Sequence, residues 1–256
     1  METHHSHLNH QPGKKFSHYF YEFLILFLAV SLGFIVENLR ENYIEGHRAQ
    51  EYSISLINDL KEDTISINEV QERLIQFHAE LDTLIALLKS PELKLIQAKK
   101  LNNLNLFAFA DPTMSPNALT ATEMKNSCSV RYFRNDSLKF LFALHDQHWT
   151  ELISFYDGNL YITQQIRLTM SKLFDIRAMN ISSFFDSTQI IKFSLQLPND
   201  SLPLLSYDPE LINQYANYCI LKQKNWENFY GRLTISKRIT EKLINGLKKE
   251  YPSQHE

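Results

Sequence analysis

Glycine is nearly missing from this chain: six residues in 256, each standing alone, with no two within ten positions of each other. That spacing excludes a Walker loop or a dinucleotide-binding turn, which need clustered glycines to bring backbone amides up to phosphate. Cysteine is as sparse. Cys128 and Cys219 form no C-x-x-C and have no metal-ligand spacing. They are expected to be two unrelated buried thiols, with a single disulfide as the alternative in an oxidising compartment. There is no excess of positive charge either. Lys and Arg number 26 against 29 Asp and Glu, for a net charge of −3, which excludes a nucleic-acid binder held by neutralised phosphates. No H-E-x-x-H or G-x-S-x-G occurs. No catalytic residue and no cofactor is therefore expected, and the chain reads as a non-enzyme.

What is abundant is Leu, Ile, Lys, Glu, Asn and Gln, a composition suited to long helices with short connections. The predicted fold class is all-α, with four parts: a tail over residues 1–15, a transmembrane helix over 16–36, a helical bundle over 37–251 and a short tail over 252–256. The first tail is polar and disordered. Its His4, His5, His7 and His10 offer at most a soft metal-binding patch.

Residues 16–36 make a helix of about 31 Å, the thickness of a bilayer's hydrocarbon core. Tyr19 and Tyr21 lie at one end as an interfacial belt would. Ala29-Val30-Ser31 could pass for a signal-peptidase site, but the apolar run continues through Gly33-Phe34-Ile35-Val36, so the segment is expected to stay as an anchor. Glu22 is the ionisable residue inside it with functional promise, because a charge in a span is costly and usually has a partner. Lys14 and Lys15 precede the span while Arg40 and Arg48 follow it. The closer lysines put the N-terminus inside and the main domain outside the cytoplasm.

The helical pattern continues as a stalk over 37–88. From Leu56 it is regular: Leu56, Leu60, Asp63, Ile67, Val70, Leu74, Phe77, Leu81, Leu84 and Leu88, alternating steps of four and three. Such a repeat marks a helix packed along its length on another helix. Ile57, Ile75 and Ile85 widen the stripe, which favours the spine of an intramolecular antiparallel bundle over a coiled coil between copies. Asp63 is the polar exception in the seam and a candidate functional position.

Ser90-Pro91 ends this helix. A shorter amphipathic helix is expected over 92–106, a break at Asp111-Pro112 and Ser115-Pro116, and a short helix over 117–126. Asn135-Asp136-Ser137 caps a further helix along Leu138, Phe142, His145, Trp149 and Leu152. It is interrupted at Asp157-Gly158-Asn159 and resumes through Ile166, Met170, Leu173 and Ile176. Residues 179–206 read as an irregular segment, part of it a short strand. Asp208-Pro209-Glu210 then opens the last helix with a cap, a first-turn proline and an acid. Its buried face includes Tyr215, Trp226, Phe229, Leu233, Leu243 and Leu247, and it is long enough to lie antiparallel to the stalk.

His145, His148 and Glu151 share helical spacing and could begin a metal site, although no further ligands are marked. The polar face of a helix beside a buried Trp149 is the ordinary reading of them, and no metal is expected.

Several stretches carry a resemblance. They are Glu22-Phe-Leu-Ile-Leu-Phe-Leu-Ala-Val-Ser-Leu-Gly-Phe34, Glu37-Asn38, Arg40-Glu41, Tyr52, Leu56-Ile-Asn-Asp-Leu60, Asp63-Thr64, residues 119–133 and the closing Leu243-Ile-Asn-Gly-Leu-Lys-Lys-Glu-Tyr251. In these the chain resembles a family of uncharacterised single-span membrane proteins of Bacteroidota. In 119–133 the family has a Ser-Gly pair before an apolar turn, and Ser127-Cys128 stands in its place. The resemblance implies an anchor and a helical domain, with no activity. The expected role is an interaction or scaffold module held to the lipid bilayer through 16–36, partnered by a second copy or by another membrane protein. The alternative is a ligand-sensing bundle that signals through a membrane partner, for instance at Glu22.

Overall fold

The computed structural model describes residues 13–112, 114–178, 181–186, 189–195 and 202–252. The fold is all-α: α1 (Gly13–Leu88), α2 (Ala98–Phe109), α3 (Leu119–Asn126), α4 (Asp136–Gly158), α5 (Leu160–Leu173) and α6 (Pro209–Glu250). A small antiparallel hairpin of β1 (Ile181–Asp186) and β2 (Gln189–Leu195) interrupts it, with a register irregularity between Phe184 and Asp186. The hairpin falls inside the segment expected to be irregular. The histidine-rich tail lies outside the described residues.

The chain divides into two units, Met1–Tyr52 and Ser53–Glu256, and α1 runs through both. The boundary between the units falls within α1, with residues 37–52 in the first unit. The reason is in the stripe. Upstream of Leu56 the same spacing meets Ser53, Ala49, Gly46 and Asn42, which offer little apolar surface to bury.

In the first unit, the most apolar 18-residue window has a mean hydropathy of 2.1 and none of it is buried. This helix is long and apolar enough to cross a membrane. Polar side-chain pairs stand at either end of the stretch. His18 Nε2 lies 3.4 Å from Glu22 Oε1, and Arg40 makes a two-pronged bond to Glu37 at 2.7 and 3.0 Å.

The second unit is built on α6. Along one side it meets α4 and α5 in a ladder whose residue numbers rise on one partner and fall on the other, the mark of antiparallel helices. The rungs are Phe133–Tyr251 rings at 5.7 Å, Phe155 stacked on Phe229 at 6.0 Å, and Asn225 Nδ2 donating to Asn159 Oδ1 at 2.6 Å. The ladder ends on Phe174 against Tyr215 at 5.7 Å. Along its other side α6 meets α1: Gln71 Nε2 donates to Thr234 Oγ1 at 2.9 Å, Phe77 stands edge-on to Trp226, and Gln223 Nε2 donates to Asp82 Oδ1 at 2.8 Å. The stalk is thus the spine of an intramolecular bundle over this stretch. Nine of its ten stripe residues are buried, with Phe77 half-buried.

Three local expectations need correction. Ile75, expected to widen the buried stripe, is 60% exposed, because it faces the open groove between α1 and α6. Ile176 is exposed because α5 has ended at Leu173 and Phe174 turns inward in its stead. The single helix expected over 92–106 is a 3-10 turn, Leu93–Leu95, followed by α2, since Ile96 and Gln97 are extended. The tight break expected at Asp157-Gly158-Asn159 is present: Asn159 alone separates α4 from α5 and keeps helical angles. The cap of α6 is as expected, Asp208 accepting the Glu210 N–H at 3.1 Å.

Candidate functional site

On α6 the residues Ile212, Tyr215, Cys219, Lys222, Trp226, Phe229, Leu233, Ser236, Thr240, Leu243 and Leu247 follow alternating steps of three and four, and every one is buried. Lys222 is the charged member of that row, only 3% exposed. A buried ammonium needs a counter-charge. Asp111 supplies it from the extended residues after α2, with Oδ1 3.1 Å from Lys222 Nζ. Asp111 is held in turn by two donors. Thr163 Oγ1 donates to Oδ2 at 3.0 Å, and Trp226 Nε1 donates to Oδ1 at 3.3 Å. Lys222 also donates to Thr163 Oγ1 at 3.3 Å and lies over the Trp226 ring, 5.2 Å from its centroid.

Burial pushes the Lys222 ammonium below the usual lysine range, with Asp111 pulling against it. One turn earlier, burial pushes the Cys219 thiol up to about 12 and Tyr215 well above the ordinary phenol value. The Tyr215 hydroxyl donates to the buried Asn105 side chain. Cys219 is therefore held as a thiol, a poor nucleophile. This is a neutral-to-ionic core that fixes α2, α5 and α6 to one another.

The other face of Trp226 opens on a groove of about 540 Å³ between α1 and α6. Leu74, Ile75 and Ala79 form its floor on the α1 side, with Trp226 and Tyr230 opposite. At one end His78 sits between two carboxylates, Nδ1 3.2 Å from Asp82 Oδ2 and Nε2 3.2 Å from Glu227 Oε1. Gln223 fixes Asp82, and Lys224 holds Glu227 at 2.8 Å. Lys224 is the largest influence on Glu227, keeping its carboxyl below the usual range, with His78 acting the same way.

Of the residues singled out from sequence, Asp63 proves to be a clasp. It is 2% exposed, and its Oδ1 accepts the backbone N–H of Asn117 at 2.7 Å. Asp59 Oδ2 accepts the N–H of Thr120 at 3.1 Å, and Glu62 Oε2 accepts Asn117 Nδ2 at 2.8 Å. Helix α3 carries no side-chain cap of its own at Ala118. Carboxylates of α1 satisfy its first amides from across the fold. Burial raises Asp63 to about 6 against the pull of the Asn117 amide, and Asp59 and Glu62 add to the rise.

His145, His148 and Glu151 do not converge. His145 is buried, and its Nε2, a lone pair a metal could use, accepts the Trp149 indole N–H at 2.6 Å. Burial lowers it to about 4. His148 and Glu151 make a separate pair at 3.8 Å. Among the described residues no group of three His, Cys, Asp or Glu side chains stands in metal-binding geometry. Glu22 pairs with His18 on its own helix. Cys128 and Cys219 are both free thiols, the first exposed and the second buried.

Sequence reasoning missed Lys222 and Asp111, and the groove at His78. No known family, curated protein or solved structure matches the chain.

Proposed function

We propose that the chain is a membrane-anchored, non-enzymatic interaction module, anchored through 16–36 and presenting its helical bundle outside the cytoplasm. The observation that carries this is the continuity of α1. One helix passes from an apolar stretch with no buried residue in its most apolar window to a stripe buried along its whole length. A lipid-covered segment and a packed spine on one helix couple whatever binds the bundle to the membrane. Membership of the Bacteroidota single-span family is part of the same proposal. The test is fractionation of cells expressing the full chain, with a topology reporter fused after Glu256 and cross-linking in intact membranes. Carbonate-resistant membrane association with a cross-linked partner or second copy is expected. A chain released by carbonate, or found in membranes only as an uncross-linked monomer, would overturn it.

A second reading, a ligand-sensing bundle, is favoured by the α1–α6 groove. It is lined on both helices, and one of those helices is the one that continues into the apolar segment.

A further inference from the structure

We propose that the α1–α6 groove is a binding site for a small organic cation, an amine or quaternary ammonium carrying an apolar body. This rests on the ligand-sensing reading and names its ligand class.

Size comes first. About 540 Å³ falls within the range of roughly 300 to 1,000 Å³ that small-molecule sites occupy. Charge is the second argument. The lining residues include two carboxylates, Asp82 and Glu227, and no lysine or arginine. Glu227 is already paired with Lys224, whereas Asp82 has Gln223 and His78 as its partners, so the carboxylate charge open to a cation lies foremost at Asp82. Third, the walls suit a cation with an apolar body. Tyr230, 37% exposed, presents an aromatic ring, which attracts cations through its π face, and Ile75 and Ala79 provide the apolar remainder. The 60% exposure of Ile75 leaves a large aliphatic side chain at the mouth that a ligand's hydrocarbon could cover.

Fourth, the carboxylates are already held in place. Asp82 is fixed by Gln223 and Glu227 by Lys224, so binding need not order them. His78 occupies the space between them, 3.2 Å from each. A nitrogen-centred group thus already sits where the ligand's cationic head would lie, and the ligand's ammonium takes over its contact with Asp82. Trp226 joins this site to the core, because its indole N–H holds Asp111, the partner of buried Lys222.

The test titrates benzyltrimethylammonium into the purified full chain in a neutral maltoside detergent, with saturation-transfer NMR on the probe as readout. Phenylacetate is the anionic control of similar size. Glu227→Gln and Asp82→Asn keep oxygens that can accept from Lys224, His78 and Gln223, and both positions are solvent-accessible, so folding should be retained; circular dichroism melting verifies it. Tyr230→Ala removes the aromatic wall independently of charge. Saturable binding of the cation, weakened at least fivefold by each charge variant and by Tyr230→Ala, is the expected result. Saturable binding that is indifferent to all three substitutions overturns the assignment. Phenylacetate binding at least as tight as the cation overturns the ligand class while leaving the ligand-sensing reading intact. Saturable binding of neither probe overturns the cation site and removes the support for the ligand-sensing reading.

Discussion

The Asp63 carboxylate and the Asn117 backbone amide meet at 2.7 Å, 54 residues apart in sequence, and that bond ties the spine of the bundle to the start of α3. Asp63 rises from the ordinary 3.8 to about 6. The folded chain therefore holds this proton more tightly than the unfolded one. The stabilisation is complete below pH 3.8 and is lost as pH rises through about 6, a change of about 3 kcal/mol. Asp63→Asn keeps an acceptor oxygen without the charge. It should raise stability at pH 7 by about 1–3 kcal/mol, while Asp63→Ala, which leaves the Asn117 amide unsatisfied, should gain less or lose. Urea midpoints of the detergent-solubilised chain decide between them.

His145 works in the opposite sense over much of the same interval. Its value falls from 6.5 to about 4, so its contribution is present above pH 6.5 and is lost as pH falls through about 4, again about 3 kcal/mol. The two titrations offset each other. Wild-type and Asp63→Asn stability curves should diverge between pH 4 and 6, the variant losing about 3 kcal/mol more than wild type on acidification from pH 7 to pH 4. Parallel curves across that range would contradict the assignment of Asp63.

Breaking the buried pair should be costly from either side. Asp111→Asn strands the Lys222 ammonium and Lys222→Met strands the Asp111 carboxylate, each at about 3–5 kcal/mol. The double variant should recover most of that loss, since neither charge then remains to be solvated. Thermal melts of the four proteins close the cycle, and additive losses would mean the two side chains are not coupled.

Cys128 has φ +54°, a left-handed conformation that glycine adopts without cost and other residues do not. Cys128→Gly should stabilise the chain by about 0.5–1 kcal/mol, with no change in the free-thiol reactivity of the buried Cys219.

Two helical glycines should respond oppositely to alanine. Gly231 has open space where a Cβ would go, and Gly231→Ala should gain up to about 1 kcal/mol from helix propensity. At Gly246 the new Cβ would stand 2.6 Å from Leu138 Cδ2, which is itself buried, so Gly246→Ala should lose about 1–2 kcal/mol. Denaturant midpoints measured side by side are the check.

The bundle's main axis was legible because apolar side chains at steps of three and four record burial directly: Leu56 to Leu88 and Tyr215 to Leu247 are buried much as their spacing predicts. Asp63 was visible as the residue that broke the row. Its role was not, because the groups it serves are backbone amides at Asn117 and Thr120, and an amide leaves no trace in residue identity. Lys222 carried the same kind of signal, a lone charge at a stripe position of α6, and was hidden only because α6 is rich in lysine on its outer face. Its partner Asp111 read as half of a chain break. The groove at His78 depends on which α6 residue faces which α1 residue, and that register is a property of two segments 149 positions apart. The left-handed turn at Cys128 was not legible, because cysteine does not mark such a position as glycine would.

Helix α6 packs against α1 on one side and against α4 and α5 on the other, yet the ribosome makes it after all three. Until Pro209–Glu250 has emerged, the leucine row of α1 has no antiparallel partner to cover it. The contacts of α6 with α1, α4 and α5 therefore form only after residues 209–250 have been made, long after residues 16–36 have left the ribosome. During that interval the spine is an exposed amphipathic helix adjoining an apolar one. The side of α1 that meets Thr234, Trp226 and Gln223 stays without those contacts for as long as α6 is unmade.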